Sequence, residues 1–139
     1  MLSRGVKRTD RAGSRAFRYR LMLSVLSGRP LRLYSIREYG NADSVNHSSL
    51  GEDLGLQAHE VSFLRLLERI SNGTSVEINE TGTALQFRPG VLVGGKLVHK
   101  CATTRGVTYY LEPLFFLLAF AKKPSVGKHR IDKESDRKV

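Results

Sequence analysis

The stretch Thr103-Thr104-Arg105-Gly106 places two hydroxyls, a guanidinium and a glycine directly ahead of an apolar helical pattern. Helix starts attract anions, because their first amides lack intrahelical partners and the dipole is positive there. The four residues therefore have the character of a phosphate site. A second set lies near the start of the chain. Ser14 and Arg15 open another helical pattern, and Arg11, Arg15 and Arg18 fall at i, i+4, i+7, one face of a helix. Arg37, at the end of the strand pattern that follows, belongs to the same set of candidate phosphate contacts. At each helix start the competing reading is ordinary capping.

Other chemistries find less support. The histidines are His47, His59, His99 and His129, and Cys101 is the single cysteine. No two of them have ligand spacing on a helix, and no CxxC or HxxxH cluster occurs. His99 and Cys101 share a strand face two residues apart, but two ligands do not make a zinc site. A nucleophilic Cys101 would need an orienting third group that the sequence does not supply. Glu52 and Asp53 sit in a loop pattern, a poor mount for paired carboxylates. No Walker A sequence or GxGxxG follows a strand. The expectation is a chain with no catalytic residues, no metal, no cofactor and no small-molecule substrate.

Charge points to a polyanion. The net charge is +10 over 139 residues, and it is unevenly spread. Residues 1–37 carry ten Lys or Arg against Asp10 alone, whereas residues 38–70 carry six acids against Arg65 and Arg69. Residues 71–121 balance to +1, and the stretch from Lys122 returns to +4. A near-neutral body with basic ends fits RNA as a partner. The competing readings are a merely solvated basic terminus and, for the Arg-rich, acid-poor first twenty residues, a mitochondrial presequence. No apolar run approaches the ~20 residues of a membrane span, so no membrane partner is expected. A lone cysteine rules out an internal disulfide and fits a reducing compartment.

The elements that must hold the candidate residues follow from periodicity. Residues 14–27 read as a helix capped by Ser14, with Phe17, Leu21 and Val25 on one face and Gly28 as the stop. Residues 29–37 alternate as an imperfect strand, with Leu31, Leu33 and Ser35 opposite Arg32, Tyr34 and Ile36. Residues 38–55 read as a long exposed loop. Residues 56–70 form an amphipathic helix through Phe63, Leu66, Leu67 and Ile70. Strands follow at 74–80, 83–88 and 90–100, the last interrupted by Gly94-Gly95 as a bulge or tight bend. A final helix presents Val107, Leu111, Leu114, Phe115 and Leu118, with Pro113 inside it predicting a kink or a late start. Residues 1–13 read as a basic arm, 14–123 as the domain and 124–139 as a charged disordered tail. The fold class is α+β, helices packed on a mixed four-stranded sheet. No internal repeat is evident at the residue level.

"LSGRP", "SFLRLLERISNG", "EINETGT" and "RPGVLVGG", with "RGVTYYLEPL", resemble the RNA 3′-terminal phosphate cyclase superfamily from about Gly13 to Lys123. The cyclase-like branch, eukaryotic nucleolar factors of 18S rRNA processing, is the nearer match. The resemblance implies an α/β sandwich of repeats like the C-terminal domain of bacterial initiation factor three. Family cyclases adenylylate a histidine and use ATP to convert an RNA 3′-phosphate to a cyclic phosphate. They carry a "GEGGGQ" run before the first helix and a "GSAGS"-like turn before the later one. Here those positions read "DRAGSRAF" and "CATTRGVT", which implies an inherited phosphate cradle without the nucleotide chemistry. Family members are more than twice as long, and the cyclase histidine and the region proposed to cut pre-rRNA lie beyond the resemblance. This chain therefore reads as a truncated product. The resemblance implies a non-catalytic ribosome-biogenesis factor of the nucleus and nucleolus. Its implied partners are pre-rRNA, the small-subunit processome and a nucleolar GTPase. The alternative class is an enzyme, a cyclase or an rRNA endonuclease.

Overall fold

A computed structural model describes residues 8–38 and 54–124, and the backbone of strand residues 126–131. Most of the expected loop 38–55, the first seven residues of the arm and the last eight of the tail lie outside the described residues. The elements run β1 (Thr9–Ala12), α1 (Phe17–Ser27), β2 (Leu31–Tyr34), α2 (Ala58–Ile70), β3 (Ser71–Asn72), β4 (Ser75–Ile78), β5 (Leu85–Arg88), β6 (Val91–Leu92), β7 (Lys96–Cys101), α3 (Thr108–Leu118) and β8 (Val126–Ile131).

A mixed four-stranded sheet runs in the order β1-β2-β5-β4, with β1 parallel to β2 and the other pairs antiparallel. Leu31 and Leu33 point inward from β2 while Arg32 and Tyr34 point out, and Leu85 and Phe87 face the same core from β5. Phe17, Leu21 and Val25 of α1 and Phe63, Leu66, Leu67 and Ile70 of α2 close that core, as their spacing predicts. Tyr110, Leu114 and Leu117 of α3 complete it. Ile36 departs from its sequence pattern. The strand ends at Tyr34, Ser35 takes a left-handed φ of 51°, and Ile36 is turned into the core, where its amide donates to the Thr83 carbonyl at 2.9 Å.

The arm corrects one expectation. Thr9–Ala12 is an edge strand in register with Leu31–Tyr34, not part of a helix or a free extension. The chain leaves it at Gly13, whose φ is 71° and whose amide donates to the Tyr34 carbonyl at 2.8 Å. Arg20 reaches back and donates to the Ala12 and Gly13 carbonyls, both at 3.1 Å. That turn delays α1 to Phe17, with Ala16 at φ 53° and no side-chain cap, so Ser14 is not the N-cap.

Gly94 and Gly95, at φ 76° and 105°, divide the predicted long strand into β6 and β7. β6 pairs with β3, and at its entry a Cβ on Gly90 would lie 2.1 Å from the Asn72 carbonyl oxygen. β7 pairs with β8 in parallel, so 126–131 is a strand where a disordered tail was expected. Charge hid it: "VGKHRI" carries no apolar alternation, and its position comes from the open backbone edge of β7. β1-α1-β2 and β7-α3-β8 share one architecture, a parallel strand pair joined through an 11-residue helix. The repeat absent at the residue level is present in the topology.

Candidate nucleic-acid interface

α3 begins on the turn that the sequence singled out. Thr103, Thr104, Arg105 and Gly106 are all exposed. The turn is held from below, where the Ala102 amide donates to the Tyr110 hydroxyl at 3.1 Å and the Tyr109 amide donates to the Gly106 carbonyl at 3.1 Å. No side chain caps the helix, so the capping reading of Thr103 and Thr104 does not hold for their hydroxyls. Thr104 Oγ1 instead lies 3.2 Å from His59 Nδ1.

His59 brings three helix starts together. It is the second residue of α2, Arg18 is the second of α1 and Tyr109 the second of α3. The His59 and Tyr109 rings meet edge-on at 5.0 Å, and the Arg18 guanidinium lies over the Tyr109 ring at 4.4 Å. Three positive dipole ends thus converge. Burial pushes the His59 pKa below the ordinary 6.5, Arg105, Arg37 and Arg18 push the same way, and Glu60 opposes them. The lowered pKa favours the neutral ring. Burial, then Glu60, raises the Tyr109 phenol far above its ordinary range.

Of the predicted contacts, Arg18, Arg37, Thr104 and Arg105 gather around His59. Two of these cations are committed to the fold. Pro113 has no N–H for the Tyr109 carbonyl one turn back. Arg18 Nη1 donates to that carbonyl at 2.8 Å, so the helix continues through Pro113 from Thr108 to Leu118. Arg18 also pairs with Glu112 at 3.3 Å, and Tyr19 donates to the same carboxylate, holding it below its usual range. Arg37, at a left-handed φ of 42°, makes two bonds to the buried Glu60 carboxylate, at 2.7 and 2.8 Å, and donates to the Gly55 carbonyl at 2.9 Å. Arg15 is exposed in the turn before α1, and Arg11 is exposed on β1. Arg11, Arg15 and Arg18 therefore do not share a helical face, because the helix that would align them begins only at Phe17.

Sequence reasoning missed His59, Glu60, Tyr109 and Glu112. The signal for the first two was present in "QAHE". Gln57 and Glu60 form a reciprocal capping box, with the Gln57 amide donating to Glu60 at 2.9 Å, and this fixes the start of α2 and aims His59 inward. Among the described residues no group of three His, Cys, Asp or Glu could hold a metal, and no helix is long and apolar enough to cross a membrane. His99 and Cys101 face inward together. His99 Nε2 lies 3.0 Å from the Ser62 hydroxyl, and burial raises the Cys101 thiol pKa.

A family model described as RNA 3′-terminal phosphate cyclase matches residues 9–128. The chain is 44% identical over 113 residues to the RNA 3′-terminal phosphate cyclase-like protein of Homo sapiens, covering 81% of this chain and 27% of that protein. It is 49% identical over 113 residues to the probable RNA 3′-terminal phosphate cyclase-like protein of Arabidopsis thaliana, with the same coverage of 81% and 27%. Over 123 residues it is 41% identical to the rRNA processing protein RCL1 of Saccharomyces cerevisiae, covering 88% of this chain and 30% of that one. The chain thus spans somewhat over a quarter of the length of these relatives.

Proposed function

Because the chain belongs to the RNA 3′-terminal phosphate cyclase family, we propose that it is a non-catalytic RNA-binding element of ribosome biogenesis. It acts in processing of 18S pre-rRNA and assembly of the small subunit, in the nucleus and nucleolus. Its partners are pre-rRNA, the small-subunit processome and a nucleolar GTPase. The relatives named for rRNA processing support the RNA class. The observation that carries the reading is the turn Thr103–Gly106. It is an exposed turn at the meeting of three helix starts, with Arg105 where a nucleotide-binding turn needs small residues, and this supports reading it as an anion cradle. Phosphate oxygens meet Thr103, Thr104 and Arg105 there, with Gly106 leaving the backbone open and Arg15 and Arg11 extending the contact. Arg18 and Arg37 position the cradle. The histidine beside it, His59, is buried and bonded to Thr104, which argues against a nucleophile.

Two measurements test this. Incubated with radiolabelled ATP, the chain forms no covalent adenylate and leaves an RNA 3′-phosphate unchanged; a labelled band that survives denaturation refutes the non-enzyme reading. In salt titrations of single-stranded RNA binding, Arg15→Gln with Arg105→Gln lowers the log–log slope by about 0.7 per lost contact. An unchanged slope removes the cradle from the RNA path.

A further inference from the structure

The core fixes which way the β1-β2-β5-β4 sheet presents its polar residues. Leu31, Leu33, Leu85 and Phe87 point inward, so Arg32 and Tyr34 of β2 and Gln86 and Arg88 of β5 point away from the helices. Tyr34 is 43% exposed at the end of this outward face. Ala12 of β1 lies beside it in register. The antiparallel register, carried one step beyond the Leu33–Leu85 pair, sets Ala84 on its other side. A single exposed aromatic is ordinary on a protein surface. This one stands between two alanines, and neither methyl group is large enough to cover the ring, which is left open to a flat ligand.

Tyr34 also differs from the other described tyrosines. Tyr19 donates to Glu112, the Tyr109 ring packs against His59 and Arg18, and the Tyr110 hydroxyl accepts from the Ala102 amide. Among the described residues the Tyr34 side chain has no hydrogen bond and no ring contact. Its place in the fold ties it to the exposed turns. The Tyr34 carbonyl accepts from the Gly13 amide at 2.8 Å, so the ring stands where the chain turns through Ser14, Arg15 and Ala16 into α1. Arg32 lies two residues back on the same face, roughly 7 Å along the strand. Asp10 sits in register beside Arg32 but is paired with Arg8 at 2.9 Å, and Glu77 is two strands away. Among the described residues Arg32 is in no ion pair.

We infer that Tyr34 is a stacking site for a base of single-stranded RNA, with Arg32 meeting the adjoining phosphate and the strand continuing past Arg15. The inference rests on the RNA-binding reading above and adds a base contact to its phosphate contacts. An aromatic ring with open faces suits a nucleobase, because every base has a π-face. A guanidinium next to it suits a phosphate, whose oxygens its planar fork matches. A protein surface would find no apolar patch here, since Tyr34 is flanked by alanines and the next row holds Asp10, Arg32, Gln86 and Glu77. Stacking tolerates sequence, so this contact fixes where a base sits and not which base it is.

The test is fluorescence anisotropy of the full chain with labelled oligo(U) across a salt titration. Tyr34→Ala weakens binding about 5- to 100-fold, the range for one stacked base, and leaves the log–log salt slope unchanged because no charge is lost. Tyr34→Phe keeps the wild-type affinity. Arg32→Gln lowers the slope by about 0.7. An abasic ribose–phosphate strand binds the wild-type chain and Tyr34→Ala equally, since it offers nothing to stack. The chain contains no tryptophan, so Tyr34→Trp places a single reporter at the site while keeping a stacking ring, and oligo(U) quenches its emission. That quenching decides the matter should the alanine variant lose its fold. An unchanged affinity in Tyr34→Ala, a loss that extends equally to the abasic strand, or a tryptophan emission indifferent to oligo(U) overturns the stacking site. If Tyr34→Ala binds as the wild type does while Arg15→Gln with Arg105→Gln lowers the slope, the stacking site fails and the cradle stands. If the wild-type chain binds no RNA, both readings fail.

Discussion

Arg18 joins three elements through one side chain. It supplies a donor for the Tyr109 carbonyl that Pro113 leaves open, stacks on the Tyr109 ring and pairs with Glu112. A hydrogen bond from a charged donor contributes about 1.5–3 kcal/mol, so Arg18→Gln lowers unfolding stability by about that amount. Pro113→Ala restores an amide for the same carbonyl. In a double-mutant cycle by urea unfolding, the loss at Arg18 is smaller in the Pro113→Ala background by about 1 kcal/mol. Strictly additive effects mean the arginine does not replace the missing amide. His59 gives a pH signature. Its folded pKa lies below 6.5, chiefly through burial, so the unfolded chain takes up a proton more readily. The contribution of neutral His59 is fully present above the unfolded value and is lost as pH falls through 6.5 toward the folded value. The thermal midpoint therefore drops between pH 7.5 and 5.5, and the drop is smaller in His59→Asn, which keeps a partner for Thr104 but does not titrate. Equal drops in both proteins remove His59 as the cause.

At the scale of elements, β8 protects an edge. The Val98 and Lys100 carbonyls of β7 are taken by α2 side chains, and the opposite edge pairs with β8 along all six residues. A two-stranded sheet is marginal by itself, and this one depends on His99 and Cys101 packing against α2 and α3. Ending the chain at Pro124 opens that edge. The truncated chain loses about 2 kcal/mol or more, at ~0.5–1.5 kcal/mol for each ladder hydrogen bond, and associates more readily. A truncated chain with the same unfolding midpoint and the same scattering means β8 contributes nothing. The elements α1 and α2 were legible because their apolar residues recur at helical spacing. β1 and β8 were not, because short stretches dense in charge carry no apolar alternation in the sequence.

At the scale of the whole molecule, the described residues of α3 and those just after it present exposed apolar surface. Phe115 is 81% exposed, Phe120 70% and Phe116 53%, and a groove of about 290 Å³ between α2, β7 and α3 is floored by Ile70, Leu97, Leu111 and Leu114. Contiguous apolar surface of this kind favours association, while a net charge of +10 opposes it. The expected balance is a chain that binds a dye reporting apolar surface and scatters light increasingly at micromolar concentration. Phe115→Ser with Phe120→Ser reduces both signals at little cost in stability, since neither side chain lies in the core. A monodisperse, dye-silent wild-type chain means the face is too small or too well shielded by charge to associate.

The sequence by itself determined the α+β class, the two amphipathic helices, the strands β2, β4 and β5, and the exposed turn before α3. Each of these rests on local periodicity or turn chemistry, which a short window of residues carries whole. It also determined that cations, and not acids or metal ligands, dominate the ends of the chain. Only the tertiary structure decided what those cations do. Arg18 and Arg37 look like Arg15 and Arg105 in sequence, yet the first two are held by Glu112 and Glu60, which lie 94 and 23 residues away along the chain. A carboxylate that distant leaves no mark in the local pattern, because ion pairing depends on separation in space. The same holds for the pairing of β7 with β8, a parallel backbone register between strands joined through α3 that no local pattern announces.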